Sequence, residues 1–164
     1  MIPKTTILLG LALLLLGCDE NSMETTESND PSLYEITFQT LDQFDQEMIE
    51  FSQGEDITFV LQIKNISNNK LTIRFNNGCQ YRFKILDENN EEPYSRWNPQ
   101  LCTEALTNFT LEPNNIKEHR ETWNQVTFSS LSPLQESLLP VGVYTVEAVD
   151  YGVDSIITRN LHIK

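Results

Sequence analysis

Three cysteines, two histidines and 24 acidic side chains are the residues of this 164-residue chain whose types are suited to chemistry. Nucleophilic work needs a thiol or hydroxyl beside a base, and a metal needs ligands at short fixed spacings. Neither Cys79 nor Cys102 has a histidine near it in sequence, and no CxxC pair occurs. His119 lies in "KEHRE", which lacks the second histidine of a zinc motif four residues on, and it reads as part of a surface strand of mixed charge. His162 sits in another strand-like run. The chain has no GxSxG elbow, no HExxH helix and no glycine-rich phosphate loop. "DENNEE" (residues 87–92) offers oxygens that calcium favours, but it lacks the mid-loop glycine of an EF-hand and suits a hairpin turn. Carboxylates are so frequent that no pair stands out for acid/base work. The chain reads as a non-enzyme, with no metal and no cofactor expected.

The remaining cysteine, Cys18, closes the apolar run "ILLGLALLLLG". The ten residues from Ile7 to Leu16 reach about 15 Å as a helix, half of what a bilayer core demands. Lys4 ahead of the run and the small residue after it complete an export signal. "LLGC", Leu15 to Cys18, resembles the lipobox of bacterial lipoproteins. That resemblance implies cleavage after Gly17, a diacylglyceryl group on the Cys18 thiol and an acylated new amino terminus, which together anchor durably in a membrane. The expected location is the cell envelope, lipid-anchored to a bacterial membrane.

Charge narrows the partners. The formal charge is −13, and loss of the single Lys4 with the signal leaves −14. Nucleic-acid binding rests on lysine and arginine neutralising phosphates, so a nucleic-acid partner is excluded. Residues 18–32 follow the signal as the lipidated cysteine and "DENSMETTESNDPS", whose only large apolar residue is one methionine. Such a segment buries too little to offset ordering entropy and predicts a disordered acidic tether with a span of roughly 20 Å. Residues 33–164 then form one domain of ordinary size.

Within that domain the dominant period is two. Tyr34, Ile36 and Phe38 share one face, as do Ile57, Phe59, Leu61 and Ile63. The pattern continues through residues 71–75, 81–85, 109–111, 143–149 and 156–163, with turn clusters between at 65–69, 76–78, 87–92, 112–115 and 139–142. Short alternating strands without a sustained helical period predict an all-β, antiparallel sandwich. In residues 41–51, Leu41, Phe44, Met48 and Phe51 recur at spacings of three and four, so a helical turn and an extended bridge between strands are both open there. Once Cys18 is lipidated and exported, Cys79 and Cys102 are the two thiols left in an oxidising compartment, and a disulfide between them is the simplest reading.

The ordered blocks "ITFVLQIKNISNNKLTIRF" (57–75), "FNNGCQYRFKILDENNEEPYSRW" (75–97), "CTEALTNFTLEPNN" (102–115), "ETWNQ" (121–125) and "LPVGVYTVEAV" (139–149) resemble the BsuPI intracellular proteinase inhibitor family. The resemblance implies an immunoglobulin-like β-sandwich and inhibition of a subtilisin-type serine protease. An exported, lipid-anchored chain is not intracellular, so the founding inhibitor's physiological target does not carry over, and the first expectation is a cell-envelope protease inhibitor. The candidate inhibitory loop is residues 90–103, where a Cys79–Cys102 bond clamps one end and Pro93 and Pro99 stiffen the middle. Tyr94 or Leu101 would fill an apolar primary pocket, Arg96 a trypsin-like one, and Trp97 divides evenly between packing and contact. The alternative is a non-catalytic envelope module that binds protein or glycan, with residues 127–139 as an apolar-dotted surface loop.

Overall fold

The computed structural model describes residues 25–27, 30–95, 102–129, 132–150, 152 and 155–164. The chain is built from strands: β1 Thr25–Glu27, β2 Tyr34–Leu41, β3 Glu50–Phe51, β4 Ile57–Asn65, β5 Lys70–Phe75, β6 Tyr81–Leu86, β7 Tyr94–Ser95, β8 Thr107–Leu111, β9 Ile116–Trp123, β10 Val126–Ser129, β11 Ser132–Leu138, β12 Gly142–Asp150 and β13 Ser155–Ile163. One layer is the antiparallel sheet β2-β4-β9, and the other is β3-β13-β12-β6-β7. The inward residues of both layers form one core, in which Phe38 lies 5.7 Å from Phe83, and Phe59 lies 5.4 Å from Phe83 and 6.2 Å from Trp123. The alternation along the sequence is therefore the alternation of a sandwich: apolar residues face inward from each sheet.

A ribbon of β1, β5 and β8 closes one end. Leu71, Ile73 and Phe75 pack there with Tyr34, Ile63 and Leu111 as a second core. β5 leads from the end of β4 toward the start of β6, and Gly152, between β12 and β13, lies flat against Ile73 and Phe75. A Cβ on Gly152 would come within 2.5 Å of the Phe75 ring, so only glycine permits this approach.

Two buried amides explain why parts of the sequence take their shapes. Asn65 donates its side-chain amide to the carbonyls of Asn69 and Leu111 and accepts from the backbone and hydroxyl of Ser67, which makes the Asn-Ile-Ser turn a hydrogen-bonded knot. Gln125, fully buried, donates to the carbonyls of Ser52 and Glu55 and accepts from the Gly54 amide, tying the loop before β4 to the end of β9. Both satisfy the rule that a buried polar group must be paired. Tyr144 is buried in the core, and its hydroxyl donates to the Pro140 carbonyl at 2.8 Å. This is a tyrosine corner, a contact also found in immunoglobulin-like sandwiches. Trp123 is a core residue too, its indole donating to the Val126 carbonyl.

Four sequence expectations need correction or resolution. The tether expected to be disordered through residue 32 contains β1, parallel to β5 with Thr25 opposite Lys70, and a 3-10 turn Pro31–Leu33 capped by Asp30. Residues 42–49 form no helix: Asp42 builds a tight turn, and Phe44 stands 72% exposed rather than packed. Residues 127–139 are largely a two-stranded ribbon, β10 against β11, and not a loop. His119 is on a strand as expected, but it is buried, because β9 turns Lys117, His119, Glu121 and Trp123 inward. Its ring lies 4.3 Å from Tyr81, its Nε2 has no hydrogen-bond partner among the described residues, and burial pushes its pKa down to about 4.

Candidate functional site

The segment expected to inhibit starts from the β6–β7 hairpin. Asp87 makes the turn by itself: its Oδ1 accepts from the amides of Asn89 and Glu91, its own amide donates to the Glu91 carbonyl, and Asn90 takes a positive φ of 61°. Asp is favoured at this position because its short carboxylate reaches amides two and four residues on, and Asn tolerates the left-handed conformation. Beyond the turn, Glu92 is gripped by both of its oxygens on Arg82, at 2.5 and 2.7 Å, with Lys84 3.9 Å away. Pro93 is half-buried, and β7 then pairs Tyr94 with Ile85 and Ser95 with Lys84. One limb of the loop is thus fixed to β6.

The other limb is fixed to the segment just ahead of the same strand, which begins at Tyr81. Cys102 is bonded to Cys79, with their Cα atoms 5.4 Å apart. Cys79 is buried, and its amide donates to the Asn77 side chain. The Gly78 amide donates to the Thr103 carbonyl at 2.8 Å, and the Thr103 side chain fills the space a Cβ on Gly78 would need. Thr107 adds a bond to the Asn77 carbonyl. Arg96, Trp97 and Leu101 lie outside the described residues. Of the described residues, Tyr94, after Pro93, pairs with β6 at Ile85, and Cys102 is bonded to Cys79 ahead of that strand.

A second turn, at residues 42–46, occupies the stretch whose spacing suggested a helical face. Asp42 repeats the Asp87 device: its Oδ1 accepts from Phe44 and Gln46, its amide donates to the Gln46 carbonyl, and Asp45 has φ 60°. The signal was present, since "LDQFDQ" and "LDENNE" both place Asp after Leu and an Asp or Asn three residues later. The exit limb is held by Arg159 on Glu47, Gln39 on Glu47, Arg120 on Asp45 and the Thr40 hydroxyl on the Met48 carbonyl. Arg159 holds the Glu47 carboxyl below its ordinary range. Among the described residues no group of three or more histidines, cysteines and acids is placed to hold a metal ion.

The fold and this site define a class: a disulfide-bonded β-sandwich in which β7 pairs with β6 and Cys102 is bonded to Cys79 just ahead of that strand. The family description "BsuPI: Intracellular proteinase inhibitor" matches residues 44–152, and the chain belongs to that family. A comparison with curated proteins finds no match. Among solved structures, a β-glucosidase from Listeria innocua is similar at 13% identity and a TM-score of 0.46, over 80% of this chain and 16% of that one. A β-glucosidase from Erythrobacter marinus is similar at 9% identity and 0.46, again over 80% and 16%. The CARDB domain of a Pyrococcus furiosus protein matches at 10% identity and 0.40, over 81% of this chain and 90% of that one. The chain spans about a sixth of the length of the β-glucosidases it matches.

Proposed function

We propose that the protein is a lipid-anchored proteinase inhibitor of the bacterial cell envelope, acting on a serine protease of the subtilisin type through residues 90–103. The observation that carries this reading is that one limb is tied to β6 by β7 and the Arg82–Glu92 pair, while the other is bonded through Cys102 to Cys79, two residues ahead of β6. A loop inhibits when it enters a protease cleft already ordered and its two halves stay in place after a cut, so that hydrolysis gains no entropy and dissociation is slow. Here Tyr94 or Leu101 supplies the apolar side chain for the primary pocket, and Arg96 would direct the loop to a trypsin-like one. Cys18 carries the lipid, and the tether and the first-strand contact connect it to the sandwich.

The test is a titration of the mature, oxidised chain against subtilisin-like and trypsin-like proteases with residual activity as readout. Stoichiometric loss of activity against one class supports the reading, and Arg96→Ala against Tyr94→Ala and Leu101→Ala identifies the residue in the pocket. Full activity of every protease with the domain still folded sinks it.

A second reading, a binding module without inhibition, is favoured by Phe44. Its ring is exposed at the apex of a braced turn, the arrangement of an anchor residue in a protein interface. Phe44→Ala separates the two: it leaves protease inhibition intact under the first reading and abolishes partner binding under the second.

A further inference from the structure

The only asparagine followed by glycine in the chain is Asn77, and the pair Asn77–Gly78 stands directly ahead of the bonded Cys79. Asparagine is thermolabile, most of all before glycine, which has no side chain to keep its backbone nitrogen away from the neighbouring carboxamide carbon. In the reaction the Gly78 nitrogen loses its proton and bonds to Asn77 Cγ, ammonia leaves, and water opens the resulting cyclic imide. The product is aspartate or isoaspartate, and in isoaspartate the main chain runs through the former side chain.

The fold holds this pair shut. The Gly78 amide donates to the Thr103 carbonyl at 2.8 Å, so the proton that must leave is engaged. Asn77 Oδ1 accepts from the Cys79 amide at 2.9 Å, and the Asn77 carbonyl accepts from the Thr107 hydroxyl at 3.1 Å, which fixes both the side chain and the main chain of the reacting residue. The Thr103 side chain fills the space beside Gly78. This lock is lightly held. Residues 103–106 belong to no strand and are all exposed. Among the described residues, the Gly78–Thr103 bond and the Cys79–Cys102 bond hold that segment down ahead of β8. Without the covalent bond, one backbone hydrogen bond is left to keep an exposed segment in place, and opening such a segment costs little free energy.

We propose that Asn77 is a deamidation site gated by the Cys79–Cys102 bond, protected while the bond is intact and reactive once a dithiol reductant has cleaved it. The reductant passes two electrons and two protons to the cysteine sulfurs and leaves as a cyclic disulfide. Thr103 then releases the Gly78 amide, and the imide forms. The change runs one way. Isoaspartate at 77 lengthens the main chain two residues before Cys79 and removes the Oδ1 acceptor of the Cys79 amide, so the two sulfurs no longer meet in register. A chain reduced briefly recovers its bond, and a chain kept reduced loses it for good.

The experiment incubates the oxidised chain and the Cys79→Ala/Cys102→Ala variant near neutral pH in sodium sulfate, which favours the folded state, with circular dichroism as the check on folding. Cys102→Ser is the second variant, because it removes the bond while leaving the buried Cys79 side chain in place. Conversion at residue 77 is followed by mass spectrometry of the peptide that contains it. The expected result is conversion at least about tenfold faster in the folded variants than in the oxidised chain. Conversion equally slow in the folded variants, or equally fast in the oxidised chain, overturns the gate. For the one-way step, unsubstituted chain is aged with a dithiol and then reoxidised. Molecules with isoaspartate at 77 should keep two free thiols while those with Asn77 re-form the bond, and equal bond content in both overturns that step.

Discussion

The turns at Asp42 and Asp87 are the same object in two settings. Each has an aspartate accepting from amides two and four residues on and a left-handed residue in the third place after it. Their exit limbs differ. After Asp42 the chain is held by ion pairs and one threonine hydroxyl, and it returns to the sandwich as β3 beside β13. After Asp87 it is held by one gripped glutamate, two residues of sheet and, further on, a covalent bond. The turn is a local product of side-chain chemistry; the exit limb decides whether it serves as a brace or as the base of a presented loop.

Breaking the covalent limb should have the largest effect. Cys79→Ala with Cys102→Ala removes a bond closing a loop of sequence separation 23. The chain-entropy relation puts the loss at about 3 kcal/mol, measured by urea denaturation. The same variant should become susceptible to cleavage between residues 95 and 102, while residues 42–48 keep their protection.

Removing the aspartates sharpens the likeness. Asp42 is nearly buried, so Asp42→Ala leaves two amides poorly solvated and should cost about 2 kcal/mol. Asp87 lies in a more exposed turn, and Asp87→Ala should cost about 1 kcal/mol by the same denaturation experiment. Equal losses would mean that burial is not what separates the two turns.

The smallest effect separates the limbs by condition. Glu47 has a folded pKa below 4.5 because Arg159 favours its charged form. The stabilisation it contributes is therefore fully present above 4.5 and is lost as pH falls through the folded value. Amide exchange at Met48 should rise on acidification below 4.5 and not on adding reductant, whereas exchange at Thr103 should respond to reductant and not to acid. Arg159→Ala should abolish the acid response.

The same contrast explains what the sequence made legible. The β6–β7 hairpin was readable because its turn carries Asp and Asn between two alternating strands, and that chemistry is local. The Asp42 turn was obscured because Leu41, Phe44, Met48 and Phe51 share a helical spacing, although Phe44 stands 72% exposed and is not part of the core formed by the described residues. β1 carries no apolar pattern at all, since its strand comes from an edge of β5 that only the folded sheet provides. β10–β11 escaped because its alternation is broken by serines and a proline. His119 sits among charges, and its burial results from the inward face of β9, a property of pairing with β4. The pairing of Cys79 with Cys102 was reached from compartment and count alone.

The most direct measurement of loop-borne inhibition compares oxidised and reduced chain, each incubated at equimolar ratio with a subtilisin-type protease, with intact mass and residual protease activity followed together. The oxidised chain should suppress activity and stay whole, or be cut at a single bond between residues 90 and 103, while the reduced chain is digested and the protease recovers. An oxidised chain that is degraded as fast as the reduced one, or that survives without slowing the protease, would contradict inhibition through a loop pinned at both ends.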